Sequence, residues 1–557
     1  MPPRRVRTVL TTIALVALPA AAAHAAQAPG RVVLPPAFGA PERNVDATGA
    51  GPAVGLPDGG VLLAAGRRGT VVLTRLRRDG APEPGFGRDG TARLRVPGDA
   101  FSLGQLLRRP DGRLLLVGTT PPASKFETSR LAVVGLTAGG ALDPGFGQGG
   151  VARPAANTAG GSGAAALERD GSLVLTGAIG RVPPEIETNP NAVGNFRWVV
   201  ARLTPAGVPD AGFGDGGVAA VPVPEGPETG GFAVGVTATG RVLTLGRSLG
   251  RTLVAALTST GAPDPAYGGG SPVPVPTDSA FGMLVDPTGR VDVVSADRVL
   301  RLSPAGAPDA TFGEGGTATY PPLPGNFSPQ LLPTADGGLL VASVTGFDPR
   351  PVAEPALRVL RISPGGARGA TKEVNPGFGG GLGSFARLRA GLEQDGFFPG
   401  TLLRRADGSF LLTGGVKVAR YTGEGTGFST GLPAVAALTP TLEPDRAFGG
   451  PQAPARFAVA VPAQRASSAA GLRRILVRVT ASGPGLALLR VRDGRRRVLA
   501  QALEPIHAAG RTTVRIGLTR TGRSVLRRGR SVRVRVGHAF RDVLTGTARG
   551  ARGSRLR

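Results

Sequence analysis

The chain has 557 residues, with 89 Gly, 52 Pro, no Cys and a net charge of +27. At about 150 residues per domain this length predicts two to four domains, and so much Gly and Pro excludes one long helical domain. The absence of Cys excludes disulfides, thiolate metal sites, Cys nucleophiles and a lipid-anchoring Cys, while 41% hydrophobic residues at mean hydropathy +0.06 suffice to bury a core.

Residues 1–25 have the form of an export signal: Arg4, Arg5 and Arg7, an apolar run over 9–23, and the small-x-small site Ala23-His24-Ala25. The mature chain is expected to begin near Ala26 and to be secreted, extracellular or associated with the cell envelope. Pro19 breaks the apolar run, which is too short for an anchor, and no later run is long enough to span a bilayer.

From Phe38 to Phe448 the chain repeats itself. An aromatic-Gly pair preceded by turn residues recurs at Phe38, Phe86, Phe146, Phe213, Tyr267, Phe312, Phe378 and Phe448, as in LDPGFGQGG and PDATFGEGG. A second phrase falls once inside each of the seven intervals, with its turn glycine at Gly59, Gly112, Gly171, Gly240, Gly289, Gly337 and Gly408, as in PDGRLLLVG. Each second phrase is a tight hairpin turn followed by an apolar strand. A further strand follows it, such as VVLTRL (71–76) or WVVARL (198–203), and a short one follows the aromatic-Gly pair, such as TARLRV (91–96). Each interval is therefore predicted to hold a meander of four strands and no helix, and seven such units predict a β-propeller whose stacked blades bury both faces.

The pair LDPGFGQGG and PDGRLLLVG at about 60-residue spacing resembles the delta-60 repeat proteins of secreted bacterial origin, over roughly residues 36–450. The resemblance implies a propeller-like architecture and an exported location, and brings no established activity or catalytic residue. Tyr267 and the shortened Gly379-Gly380-Gly381 and Gly449-Gly450-Pro451 depart from the pattern.

Three residues before each aromatic stands Glu83, Asp143, Asp210, Asp264, Asp309, Asn375 or Asp445. A ring of acids suggests calcium, but Asp and Asn capping local N–H groups in turns is the expected role, and no metal site or cofactor is expected. The repeated aromatic reads as a wedge between blades. Insertions concentrate at 119–129, 180–196, 321–328, 345–356, 389–399 and 415–432, connections that a meander places at one end of its strands. Variable loops on a rigid scaffold are where binding residues sit, so the candidate recognition residues are Glu185, Glu187, Asn189, Asn191, Asp348, Arg350, Glu393, Asp395, Phe397, Phe398 and Tyr421. Beyond the signal the only histidines are His507 and His538, both outside the repeats, so no His-based triad or metal cluster is expected in the propeller. Asp292 and Glu393 are scattered acids with no evident partner, and the chain is expected to be non-catalytic.

After Pro451 the repeat stops. Residues 451–557 carry 24 Arg and no Lys against Asp493, Glu504 and Asp542, a net +21, so that most of the charge lies in the last fifth of the chain. The segments RILVRVT, GLALLRVRDG, RRVLAQAL, TTVRIGLT and SVRVRVGHAF alternate like strands of a β-sandwich, with one helical turn predicted in 519–530. The segment loosely resembles the Arg-rich Ig-like modules that end many actinobacterial exported proteins.

The reading is all-β: a signal peptide (1–25), a seven-bladed β-propeller of four-stranded repeats (26–450) and a small basic β-sandwich (451–557). Its expected role is a non-catalytic binding or envelope protein with loops on one face. Cell-wall polymer, polysaccharide or another polyanion is the expected partner of the basic domain, and nucleic acid is not expected. The alternative is a carboxylate-dependent carbohydrate-active hydrolase or lyase with its site in the propeller channel.

Overall fold

The computed structural model describes residues 32–33 and 51–557, apart from 68–69, 98–100, 122–128, 155–163, 182–193, 278, 323–328, 346–355, 375–385, 389–390, 423–424, 446, 450–454, 484, 507–509, 529–530 and 543–545. The export signal lies outside the described residues.

Among the described residues of the repeat region, seven antiparallel sheets follow one another in chain order. Sheet 1 contains Ala53–Gly55, Val61–Arg67, Thr70–Leu76 and Thr91–Arg95. Sheet 2 runs from Ser102–Arg108 to Val151–Ala152 and sheet 3 from Ala164–Leu167 to Val218–Ala220. Sheet 4 runs from Gly230–Val236 to Val273–Pro274, sheet 5 from Ala280–Val285 to Thr317–Thr319, and sheet 6 from Gln330–Pro333 to Arg368–Val374. Sheet 7 joins Ala386–Leu388, Gly391–Arg404, Phe410–Thr422 and Gly425–Leu438 to Val32–Val33 from the start of the chain.

The repeat is thus a succession of four-stranded meanders in a propeller-like all-β fold, but the sheets are out of phase with the units read from sequence. The strand after each aromatic-Gly pair, Thr91–Arg95 for example, closes the sheet before it and does not open the next. The reason is chain length: the aromatic-Gly phrase is itself a compact hairpin, so its two flanking strands pair directly. The crossing to the next sheet is made afterwards. In sheet 7 the outer place goes to Val32–Val33, paired with Val435 and Ala436, a strand the repeat pattern did not indicate.

The second and third strands of each sheet explain the near-continuous apolar runs. Leu114 to Val117 and Leu131 to Val134 are all at most 3% exposed, because one face packs on the sheet before and the other on the sheet after. At the second-phrase turns, all seven glycines have φ between 78° and 94°, where an L side chain is strained.

From Phe457 onward two sheets share one core. Phe457–Ala460, Arg474–Ala481 and Gly510–Gly517 form the first; Val498–Ile506, Gly485–Asp493, Val532–Asp542 and Gly546–Leu556 form the second. Ile475, Val477, Leu489, Val491, Ile516 and Phe540 lie between them. Two helices are added: α1 (Ala466–Gly471), which the strand pattern did not suggest, and α2 (Arg520–Arg528), longer than the single turn expected. Thr519 starts α2 as an N-cap, its hydroxyl accepting from the Gly522 N–H at 2.9 Å. Gly522 and Leu526 are the buried residues of the helix.

Two glycine substitutions separate backbone strain from close approach. Gly216 has φ +57 and open space where a Cβ would stand, whereas Gly366 has φ +83 and a Cβ there would meet the Gly313 nitrogen at 2.2 Å. Gly216→Ala should cost about 1–2 kcal/mol from the left-handed backbone, and Gly366→Ala roughly 2–5 kcal/mol because overpacking is added. Equal losses in urea denaturation would show that contact between sheets does not select Gly366.

Candidate functional site

At one end of the strands the repeated residues knit the sheets together. Phe86, Phe146, Phe213, Tyr267, Phe312 and Phe448 are each at most 3% exposed, and the turn glycine of the following sheet lies close against the preceding aromatic-Gly phrase. A Cβ at Gly207 would stand 2.7 Å from the Phe146 ring, and one at Gly306 3.1 Å from Tyr267. The glycine after the aromatic then donates its N–H to that turn: Gly147 to Ala206, Gly214 to Thr260, Gly268 to Ala305, Gly313 to Gly365, and Gly449 to Asp79, at 2.7–3.0 Å. The expected wedge between sheets is what the aromatic forms.

Arginines add a second stitch. Arg109, Arg202, Arg241 and Arg301 donate to the carbonyls of Pro205, Ser259, Pro304 and Pro364 in the next sheet at 2.8–2.9 Å. Arg301 is 1% exposed; it grips Asp292 with two bonds of 2.6 and 3.1 Å and lies 3.9 Å from the Phe312 ring centroid. Asp292, a lone acid in the sequence, is therefore the counter-charge of a seam arginine. The acids before the aromatics are turn caps: Asp143, Asp210, Asp264, Asp309 and Asp445 accept from backbone N–H groups two residues on at 2.9–3.1 Å. Asn375 lies outside the described residues. Among the described residues no three His, Cys, Asp or Glu side chains are grouped to hold a metal.

The first seam differs. Among the described residues Gly87 makes no such bond to the turn at Gly139, and a cavity of about 640 Å³ lined by Gly87, Arg88, Asp89, Thr91, Arg93 and Gly140 opens there. Asp89 has φ 52, in the place that Gly149, Gly216 and Gly315 hold in other copies.

The described strand ends that flank the insertions, such as Thr120 and Arg130, lie at the opposite end. Glu185, Glu187, Asn189, Asn191, Asp348 and Arg350 are outside the described residues. The other five candidates are not in loops, and that expectation is corrected: Glu393, Asp395, Phe397 and Phe398 are on Gly391–Arg404, and Tyr421 is on Phe410–Thr422. Glu393 pairs with Arg420, Asp395 with Val418, Phe397 with Val416, Phe398 with Gly415, and Tyr421 with Leu392. The three long strands of sheet 7 run 14, 13 and 14 residues where Leu114–Thr120 has 7. The insertion lengthens strands because both of its arms continue the ladder, out to Thr422 opposite Gly425.

This end also holds a groove of about 560 Å³ between sheets 4 and 5, lined by Arg251, Thr252, Pro276, Ser279, Asp297 and Arg298 among others. Asp297 accepts from Arg298 at 2.7 and 2.9 Å and from Ser295 at 3.1 Å. The Arg298 guanidinium, then the Ser295 hydroxyl, hold its carboxyl below the usual range. Leu249 (58% exposed) and Phe281 (40%) stand near it in the chain. No sequence signal pointed to this groove, because each of its walls is ordinary by itself. The first strands of sheets 1 to 6 contain no Asp or Glu.

The charge is elsewhere again. In the C-terminal region Asp493 is held by Arg497 at 2.7 Å, while Arg492, Arg511, Arg515, Arg533, Arg535, Arg549, Arg552 and Arg555 are exposed. His538 is half-buried beside Phe457, ring centroids 5.2 Å apart, and its burial lowers its pKa.

No family model matches the chain, and no curated protein matches it. Among solved structures, prolyl oligopeptidase B from Galerina marginata is 12% identical with a TM-score of 0.36, over 79% of this chain and 55% of that one. The chain spans about half the length of that protein. The polysaccharide lyase Uly1 is 10% identical with a TM-score of 0.34 over 71% of this chain and 91% of that one, and a glucose dehydrogenase is 15% identical with a TM-score of 0.29 over 56% and 95%. These proteins are enzymes, and the expectation that the chain is non-catalytic is withdrawn, because the lack of histidines in the repeats was too narrow a ground for it. Among the described residues no helix is long and apolar enough to cross a membrane.

The turn carboxylates set an acid limit. Hydrogen bonds from the Thr311, Thr334 and Ser409 side chains come first in lowering Asp309, Asp336 and Asp407, and Asp336 falls to about 2. Groups lower in the folded than the unfolded chain stabilise above the unfolded value and lose that contribution as pH falls through the folded one. The thermal midpoint should be level above about pH 5 and fall between about pH 4 and 2. A midpoint unchanged at pH 2 would remove these caps from the stability of the fold.

Proposed function

We propose that this is an exported protein of the cell envelope, its repeats forming one closed seven-bladed propeller of the delta-60 kind and its basic C-terminal domain binding anionic surface polymers. Closure is supported where sheet 7 meets sheet 1. There Gly449 donates to Asp79 at 2.7 Å, Arg405 donates to Arg78 at 3.0 Å, and Arg78 pairs with Asp407. Val61, Leu63, Leu76, Leu411, Val435, Ala437 and Phe448 form one apolar cluster across the same seam. The first strands of sheets 1 to 6 touch one another in succession, and Gly391–Arg404 of sheet 7 touches both Gln330–Pro333 and Ala53–Gly55.

The observation that carries the binding role is the partition of charge: +21 of the chain's +27 lies in residues 451–557. A domain so charged raises the local concentration of polyanions and holds them with salt-dependent affinity. The propeller then presents its looped end, with the groove at Asp297, to whatever the envelope brings near. The full chain should be retained on beads carrying a phosphate or uronate polymer at about 0.05 M salt and released at about 0.5 M, where the Debye length has shrunk about threefold. Passage through the column at low salt would end the anchoring role.

A second reading is a carboxylate-dependent carbohydrate-active enzyme, a hydrolase or lyase. One observation favours it: Asp297 is a carboxylate kept ionised on the wall of an open groove. Turnover of a polysaccharide panel, lost about 10²-fold or more in Asp297→Asn, is its expected result; turnover that survives this substitution would exclude Asp297 as the acting group.

A further inference from the structure

The outer face of the four-stranded C-terminal sheet carries arginines in a specific order. In the sheet, Arg533 stands opposite Arg555, and Arg535 stands opposite Arg492. Arg533 and Arg535 are two apart on one strand, as are Arg490 and Arg492 on the next. The intervening Val534, Val536 and Val491 are buried in the core, so strand alternation puts all five arginines on the opposite, outward face. Arg555, Arg533, Arg535, Arg492 and Arg490 therefore form a staircase across three strands. Two inter-strand steps carry it about 10 Å across the sheet and two i, i+2 steps about 13 Å along it.

Two features set this staircase apart from a generally basic surface. Like charges directly opposite one another in a sheet are destabilising, and here there are two such pairs; among the described residues no carboxylate pairs with any of the five. Arg490 is held instead by a neutral partner, donating to Gln501 at 2.9 Å. The flanking positions are bare: Gly553 lies opposite Arg535 and Gly537 opposite Arg490, and a Cβ at Gly553 would meet nothing within 4 Å.

We propose that this staircase is the binding site for a linear phosphate polymer, an inference that rests on the polyanion reading above and assigns it to one face and one chemistry. Each facing pair brings two guanidinium forks to one place. Each inner phosphate of a linear polymer carries its charge on two non-bridging oxygens set tetrahedrally, so that each can accept from a different fork, whereas the two oxygens of a carboxylate lie in one plane and match the two parallel N–H groups of one fork. A chain of phosphates laid along the staircase relieves the repulsion between the facing arginines, and the glycines let its backbone approach the sheet.

The experiment measures binding of long-chain inorganic polyphosphate to the full-length protein across a salt series. The variant Arg492→Gln/Arg533→Gln/Arg535→Gln is compared with a charge-matched control on the other sheet, Arg478→Gln/Arg511→Gln/Arg515→Gln. The staircase variant should bind about tenfold or more weakly, with a slope of log K against log salt smaller by about 2, while the control should change affinity less than about threefold. The thermal midpoint of the staircase variant without polyphosphate should be unchanged or higher, since facing like charges are gone. Equal weakening in both variants would overturn the staircase and leave the polyanion reading standing, as would tighter binding of polygalacturonate than of polyphosphate. Tighter binding of single-stranded DNA would overturn it in favour of a nucleic acid. No binding of any of the three polymers would remove both readings. Should the triple variant unfold, Arg535→Gln alone, expected to lower the slope by about 0.7, decides the same point.

Discussion

The repeat region depends on one contact: an aromatic ring from one sheet seated against the turn glycine of the next. A four-stranded meander of about 59 residues is apolar on both faces and cannot bury either by itself. Stability must come from neighbours, and the contact that aligns neighbours has to recur at every seam. The ring supplies area, the glycine supplies room for it, and the N–H that follows the ring fixes the height at which the two sheets meet. Arg301 shows how far the arrangement can go, with its charge matched by Asp292 and its guanidinium lying near Phe312, all inside the seam. Removing Asp292 alone would leave a buried charge without its partner, which is costlier than lacking the pair altogether.

Because one end of every sheet is committed to these stitches, variation is confined to the other. The tight turns at the stitched end cannot lengthen without moving a glycine off its ring. Among the described residues the opposite end has no such tie, and there three strands of sheet 7 are extended and a groove opens between sheets 4 and 5. The first seam is an exception within the stitched end. With Gly87 unbonded to its neighbour and Asp89 standing where other copies have glycine, the two sheets part at their rim over a cavity of about 640 Å³.

The C-terminal region works on a different principle. Its core is closed by two sheets facing each other, so its outer faces are free of packing duties and can carry charge at will. Arginine stems still cover apolar surface while their heads stay in water. The result is a domain with an apolar interior and charges that are almost all positive, joined to a propeller-like region that is close to neutral.

What was legible in the sequence is what short-range chemistry decides. The turn glycines, the capping aspartates two residues from their N–H partners, the Phe wedge and the seven-fold count all follow from residues near one another in the chain, repeated often enough to stand out. The sequence by itself therefore determined the all-β class and the seat of the charge. Only tertiary structure decided which strands share a sheet, that Val32–Val33 completes the seventh, that Glu393, Asp395, Phe397, Phe398 and Tyr421 belong to a ladder, and that Asp292 serves a buried arginine. Each of these is a pairing between segments that local propensity leaves indifferent, and it is chosen by whichever partner satisfies the strand's hydrogen bonds and buries its faces once the whole chain is in place.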